Sequence, residues 1–155
     1  MDIRDFVASD SRDIADLFHD SVHGISTDLY SREQLEAWAP SPPDYPFWEA
    51  RLRETRPFVA VLGGRAVGFI ELEADGHIDC MYVHPHYQRR GVAAALFAHA
   101  SHVAIARGCR TLYVEASIPA KAFFLKRGFV VLGENNIERG GQALVNYSMR
   151  GQAQP

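Results

Sequence analysis

A chain of 155 residues, 47% of them hydrophobic and 23% charged, is long enough for one hydrophobic core and too apolar to stay disordered. Its formal net charge of −3, with no run of like charges, weighs against a nucleic-acid or anionic-membrane partner. No apolar run approaches the roughly 20 residues of a membrane span, and the start Met1-Asp2-Ile3-Arg4-Asp5 lacks the apolar stretch of a signal peptide. Cys80 and Cys109 are therefore expected as reduced thiols in a cytoplasmic protein, with one domain over 1–150 and a frayed tail over 151–155.

In chain order, Ile3 to Val7 reads as a short strand. Asp10-Ser11 then offers caps to an amphipathic helix with Ile14, Leu17, Phe18 and Val22 on one stripe. Ser31-Arg32-Glu33-Gln34 is a capping-box sequence that opens a second helix carrying Leu35 and Trp38, which Pro40-Ser41-Pro42-Pro43 stops. A short third helix follows around Phe47 to Glu54, and Arg51, Arg53 and Arg56 read as its solvated face. From Pro57 the period changes to that of strands: Phe58 to Leu62, Val67 to Glu73 and His77 to Val83, joined at Gly63-Gly64 and Asp75-Gly76 by hairpin turns. A long helix from about Arg89 to Arg107 turns Val92, Leu96, Phe97, Val103 and Ala104 inward and closes at Gly108. Thr111 to Ala116 is a strand, Pro119 opens a helix ending at Arg127-Gly128, and Phe129 to Glu138 with Ala143 to Arg150 form a last hairpin. The order β-α-α-β-β-β-α-β-α-β-β, counted without the short third helix, gives a mixed α/β sheet with one parallel crossover through the long helix.

The segment Val83-His84-Pro85-His86-Tyr87-Gln88-Arg89-Arg90-Gly91-Val92-Ala93-Ala94 runs from a strand through a polar turn into an Ala-rich helix start. Such a start presents free N–H groups to phosphate, and small residues allow close approach. The Lys-Ser/Thr pair of a nucleotide-hydrolysing loop is missing, so a diphosphate is gripped here but not broken.

Gln88-x-x-Gly91-x-Ala93, placed after Met81-Tyr82-Val83, resembles the acetyl-coenzyme A motif of the Gcn5-related N-acetyltransferases. Ala122-Phe123-Phe124-Leu125-Lys126-Arg127-Gly128-Phe129 looks like that family's later helix end. Tyr30 to Trp38 and Glu115 to Lys121 are similar to its YafP-like branch. The resemblance spans nearly the whole chain and implies that fold, with acetyl-CoA as co-substrate and a small-molecule or peptide amine as acceptor. It further implies that N–H groups of Arg89, Arg90, Gly91, Val92, Ala93 and Ala94, beside Gln88, hold the pyrophosphate. The main chain of Met81, Tyr82 and Val83 would then pair with the pantetheine arm like an added strand.

Transfer to an amine needs its neutral form, which for a lysine-like group is roughly one part in 2,500 at pH 7. His77 and Asp79, two apart on a strand, are read as sharing a face and one water, with Asp79 the base. Glu115 in the next strand is the rival, by analogy with some family members. Where the family often has a tyrosine acid this chain has Phe124, which is left to contact the cofactor. Tyr147 is the substitute acid, or the thiolate leaves unassisted. Cys80 is expected on the opposite side of its strand from Asp79, which argues against an acyl-cysteine route. Trp38, with Tyr45, Phe47 and Trp48, is expected to wall the acceptor pocket, with Glu115 on the same side. His99 with His102, and His84 with His86, lack partners at ligand spacing, so no metal is expected. A non-catalytic CoA-binding module is the rival reading, and a homodimer is compatible by analogy.

Overall fold

Strands β1 (Asp2–Asp5), β2 (Phe58–Leu62), β3 (Arg65–Leu72), β4 (His77–Val83), β5 (Thr111–Ala116), β6 (Val130–Arg139) and β7 (Gln142–Gln152) build one sheet in the order β1-β2-β3-β4-β5-β7-β6. The computed structural model describes all residues from Met1 to Pro155. Every neighbouring pair is antiparallel except β4 and β5. That parallel pair is joined through α4 (Val92–Ala106), the expected crossover.

Helices cover both faces. Against one lie α1 (Ser11–His23), α2 (Arg32–Trp38) and α3 (Tyr45–Thr55), whose Ile14, Leu17, Leu35 and Leu52 pack with Val59 and Phe69. Against the other lie α4 and α5 (Ile118–Leu125), where Leu96, Phe97 and Phe124 meet Ile70, Ile78, Leu112 and Met149. Each such fully buried side chain contributes about 1.5–3 kcal/mol through lost apolar exposure.

The caps read from the sequence hold in part. Ser31 and Gln34 make the reciprocal capping box of α2. Asp44 caps α3, which spans three turns and makes the observed order β-α-α-α-β-β-β-α-β-α-β-β. Asp10 precedes α1 without capping it, because its carboxylate is taken by the Arg4 guanidinium at 2.7 and 2.9 Å and by the Val7 N–H.

Most strand ends shift by one or two residues, and the larger differences from expectation are these. α4 begins at Val92, not Arg89, because Arg89 (φ 62°) and Gly91 (φ 79°) are left-handed and cannot be helical. Within α4 Val103 is only half-buried, and Ala100 and Ser101 take the inner positions instead. The chain end is not frayed. β7 pairs with β5 out to Gln152, Ala153 is buried with its N–H on the Arg110 carbonyl, and the Phe129 ring lies over Gly151 where a side chain would collide.

Candidate active site

β4 and β5 stay paired only at His77↔Tyr113 and Ile78↔Val114. Beyond that they splay, so the main chain of β4 from Asp79 to Val83 has no strand partner on its β5 side. The splay coincides with a bulge. Against β3, Leu72 faces Ile78 while Glu71 faces Cys80, leaving Asp79 as the extra residue. The bulge breaks the period of two on which the sequence reading of Asp79 and Cys80 rested. Both side chains reach the same guanidinium, Asp79 at 2.9 Å and Cys80 at 3.3 Å from Arg51 Nη2, so Cys80 lies beside Asp79 and not opposite it.

At the far end of β4, Gln88 donates to the Val83 carbonyl at 3.2 Å and ties the following loop to the strand. Arg89 and Arg90 are exposed, with Arg90 over the Tyr87 ring. Gly91 is the N-cap of α4, and a Cβ there would meet open space within 4 Å. Glycine suits that position because of its backbone angle. The first-turn amides of Val92, Ala93 and Ala94 have no earlier carbonyl to bond within the helix. They and the positive end of the helix dipole are a fit for a phosphate group.

A cavity of about 1100 Å³ runs through the gap between β4 and β5. On the α4/α5 face it is walled by Met81, Val114, Ala116, Ala120 and Phe124. On the other face it is roofed by Phe18, Tyr30, Trp38, Phe47 and Trp48, with Tyr82 beneath them. Its floor is a polar row across the sheet, Glu115, Ser148, Asn146 and Asn135, in which the Asn135 amide donates to Asn146 at 2.9 Å and Ser148 at 2.8 Å.

Two charged clusters flank the splay. Arg51 reaches in from α3 to Glu71, whose side chain is 2% exposed, at 2.6 Å, and to Asp79 at 2.9 Å. Burial works against the Arg51 charge, but Glu71 above all outweighs it and holds the guanidinium more firmly protonated than usual. Burial, and then the nearby Glu71 charge, pushes the Cys80 thiol well up, which keeps it from acting as a thiolate. In the second cluster, His77 lies between two carboxylates: Nε2 is 2.7 Å from Glu115 and Nδ1 contacts Glu73. Burial would lower the imidazole, yet the two glutamates prevail and hold it above its usual range.

Of the residues singled out from sequence, Asp79, Met81, Tyr82, Glu115, Phe124 and Trp38 line the cavity. His77 stands behind Glu115, within 4.8 Å of Asp79 measured between ligand atoms. Tyr147 is not on the wall, because its ring turns to Lys121 of α5, whose Nζ sits 4.1 Å above it. Burial and the neighbouring Glu134 raise the Tyr147 phenol. Tyr45 is likewise outside, bonded to Asp16. Arg51 was misread as part of a solvated face, and Asn135, Asn146 and Ser148 carried no sequence signal. Glu71 carried one: an acid inside the apolar strand Val67-Gly68-Phe69-Ile70-Glu71-Leu72 calls for a buried partner.

Residues 26–150 match the Acetyltransferase (GNAT) domain family. The chain is 32% identical to the uncharacterized N-acetyltransferase YafP of Escherichia coli over 148 residues, 96% of this chain and 93% of that one. It is 27% identical to the peptidyl-lysine N-acetyltransferase YjaB of Salmonella typhimurium, over 79% of this chain and 77% of that one. Among solved structures, a GCN5-related N-acetyltransferase from Rhodopseudomonas palustris superposes with a TM-score of 0.91 at 37% identity, covering 97% of this chain and 94% of that one. PaiA N-acetyltransferase of Thermoplasma acidophilum, solved with coenzyme A, shares the fold with a TM-score of 0.75 at 18% identity, covering 97% and 98%.

Proposed function

Since the chain belongs to the GNAT acetyltransferase family, we propose that it moves an acetyl group from acetyl-CoA to a primary amine by direct attack in a ternary complex. The observation that carries this reading is the cavity through the sheet, which joins the unpaired edge of β4 on one face to an aromatic-roofed chamber on the other.

In this reading the pantetheine arm lies along Met81 to Val83, and the amides from Arg89 to Ala94, with the α4 dipole behind them, hold the pyrophosphate. The acceptor enters under Trp38 and Trp48. Its nitrogen forms a bond to the acetyl carbon, the N–H proton goes to a carboxylate, and the C–S bond breaks to release coenzyme A thiolate. Main-chain N–H groups near Tyr82 and Val83 stabilise the oxyanion. Asp79 and Glu115 are the two carboxylates beside the splay. Arg51 occupies Asp79, whereas His77 supports Glu115 from behind, which favours Glu115 as the base and Asp79 as the holder of Arg51. With Phe124 on the wall, Tyr147 turned away and the Tyr30 hydroxyl donating to the Val145 carbonyl at 3.1 Å, the thiolate, of pKa near 8.5, leaves unassisted.

The test is thiol release from acetyl-CoA with an amine panel that includes a lysine peptide, because the relative YjaB is named a peptidyl-lysine enzyme. Acetylated product with at least one amine is expected. Tight CoA binding without turnover on any amine would instead favour a CoA-binding module, the reading that Phe124 keeps in view.

A further inference from the structure

Trp38, Phe47, Trp48 and Tyr82 all line the chamber under α1 to α3. They meet one another and Phe18 edge-on or tilted: Trp38 and Tyr82 at 6.4 Å and 66°, Phe47 and Trp48 at 6.0 Å and 88°, Phe18 and Trp48 at 4.7 Å and 47°. Rings set this way leave faces open to a further flat group. Phe47 lines the chamber yet is 55% exposed, so its ring contributes little to the core.

Charge and main chain narrow the acceptor further. Asp44, Asp79, Glu115 and Glu134 line the chamber against Arg51 and Arg139, and Arg51 is already bonded to Glu71 and Asp79. The excess of acids attracts an ammonium group and disfavours amines that carry a carboxylate or phosphate. A polypeptide acceptor docks best along free main-chain groups, and those of β7 beside α2 are occupied. The Gln34 amide donates to the Ala143 carbonyl at 2.7 Å. The Tyr30 hydroxyl donates to the Val145 carbonyl at 3.1 Å and accepts the Ile118 N–H at 3.0 Å. Ala37 packs so close to the β6–β7 turn that a Cβ on Gly140 would lie 3.2 Å from its own. The chain thus clasps α2 to β7 and α5 with the contacts a bound peptide would use.

We propose that the acceptor is a small arylalkylamine, a primary amine on a short linker to a flat aromatic ring, and not a lysine of a polypeptide. The inference rests on the acetyltransferase reading. The ring lies among Trp38, Phe47, Trp48 and Tyr82, and the amine end points to Asp79 and Glu115 at the splay. There the nitrogen bonds to the acetyl carbon as the C–S bond breaks, one N–H proton passes to a carboxylate, and coenzyme A leaves as the thiolate.

The experiment measures thiol release from acetyl-CoA with phenethylamine, ethylamine, spermidine and a lysine peptide, for wild type, Phe47→Ala and Phe47→Trp. In wild type, phenethylamine should exceed ethylamine in kcat/KM by roughly ten- to a hundredfold, the range expected for burying one ring, and should also exceed spermidine and the peptide. Phe47→Ala removes an exposed side chain, so the fold should survive it. It should cut the advantage of phenethylamine over ethylamine by about two- to tenfold, and Phe47→Trp should keep that advantage. Three results would each overturn the acceptor assignment and leave the acetyltransferase reading standing: ethylamine equal to phenethylamine, spermidine or the peptide equal to it or better, or an unchanged advantage in Phe47→Ala. A wild-type protein that releases no thiol with any of the four amines overturns the acetyltransferase reading and the assignment with it.

Discussion

Replacing Arg51 by methionine keeps an unbranched apolar stem and deletes the charge that faces Glu71. The Glu71 side chain is 2% exposed, and both its oxygens are taken by Arg51, at 2.6 and 3.3 Å. Removing one partner of a buried pair strands the other, at a cost of about 3–5 kcal/mol. Because the Arg51 side chain is 26% exposed, water reaches one end of the pair, so the lower figure is the better expectation. About 3 kcal/mol is a large share of the roughly 5–15 kcal/mol that stabilises a domain. At about 2–4 °C per kcal/mol for this size, the melting temperature should fall by about 6–12 °C. Urea unfolding at pH 7, followed by circular dichroism, measures the same quantity independently. The double variant Arg51→Met with Glu71→Leu removes the stranded charge and should recover most of the loss. A single variant within about 1 kcal/mol of wild type would refute the claim that Glu71 depends on Arg51.

Gly91→Glu should abolish CoA binding, because it puts a side chain and a negative charge into the open space at the α4 N-terminus and strains a left-handed position. Unchanged affinity by calorimetry would remove the phosphate assignment. Glu115→Gln and Asp79→Asn should both lower turnover with CoA affinity preserved. Only Glu115→Gln is expected to alter the ascending, acidic limb of the pH–rate profile, where the base loses its proton, and the reverse pattern would return the base role to Asp79.

The helix start after β4 was legible because it depends on local backbone chemistry. A strand, a Pro-containing turn and a run of small residues from Gly91 to Ala95 determine where free amides occur, whatever packs around them. The strand ends at His77, Val83, Thr111 and Ala116 were read correctly for the same reason: alternation and turn residues are local signals. The cavity was legible only in part: Trp38, Phe47, Trp48 and Glu115 line it as read, but the rest of it is made by residues far apart in sequence. Arg51 looked like one of three arginines on a wet helix until the fold set α3 against Glu71 on β3. The pairing of Asp79 with Cys80 depends on one extra residue in β4, and a bulge leaves little trace in a seven-residue strand. Tyr147 lies off the cavity wall with its ring against Lys121, a contact between β7 and α5 that sequence spacing does not reveal.

The parting of β4 and β5 also has a kinetic consequence. Under the proposed reading, the passage has a doorway on each side of the sheet, one beside α5 and the other under α1 to α3. Neither substrate then has to cross the other's doorway to bind or to leave. Initial-rate measurements should therefore follow a random sequential scheme, with dead-end analogues of each substrate competing only at their own side.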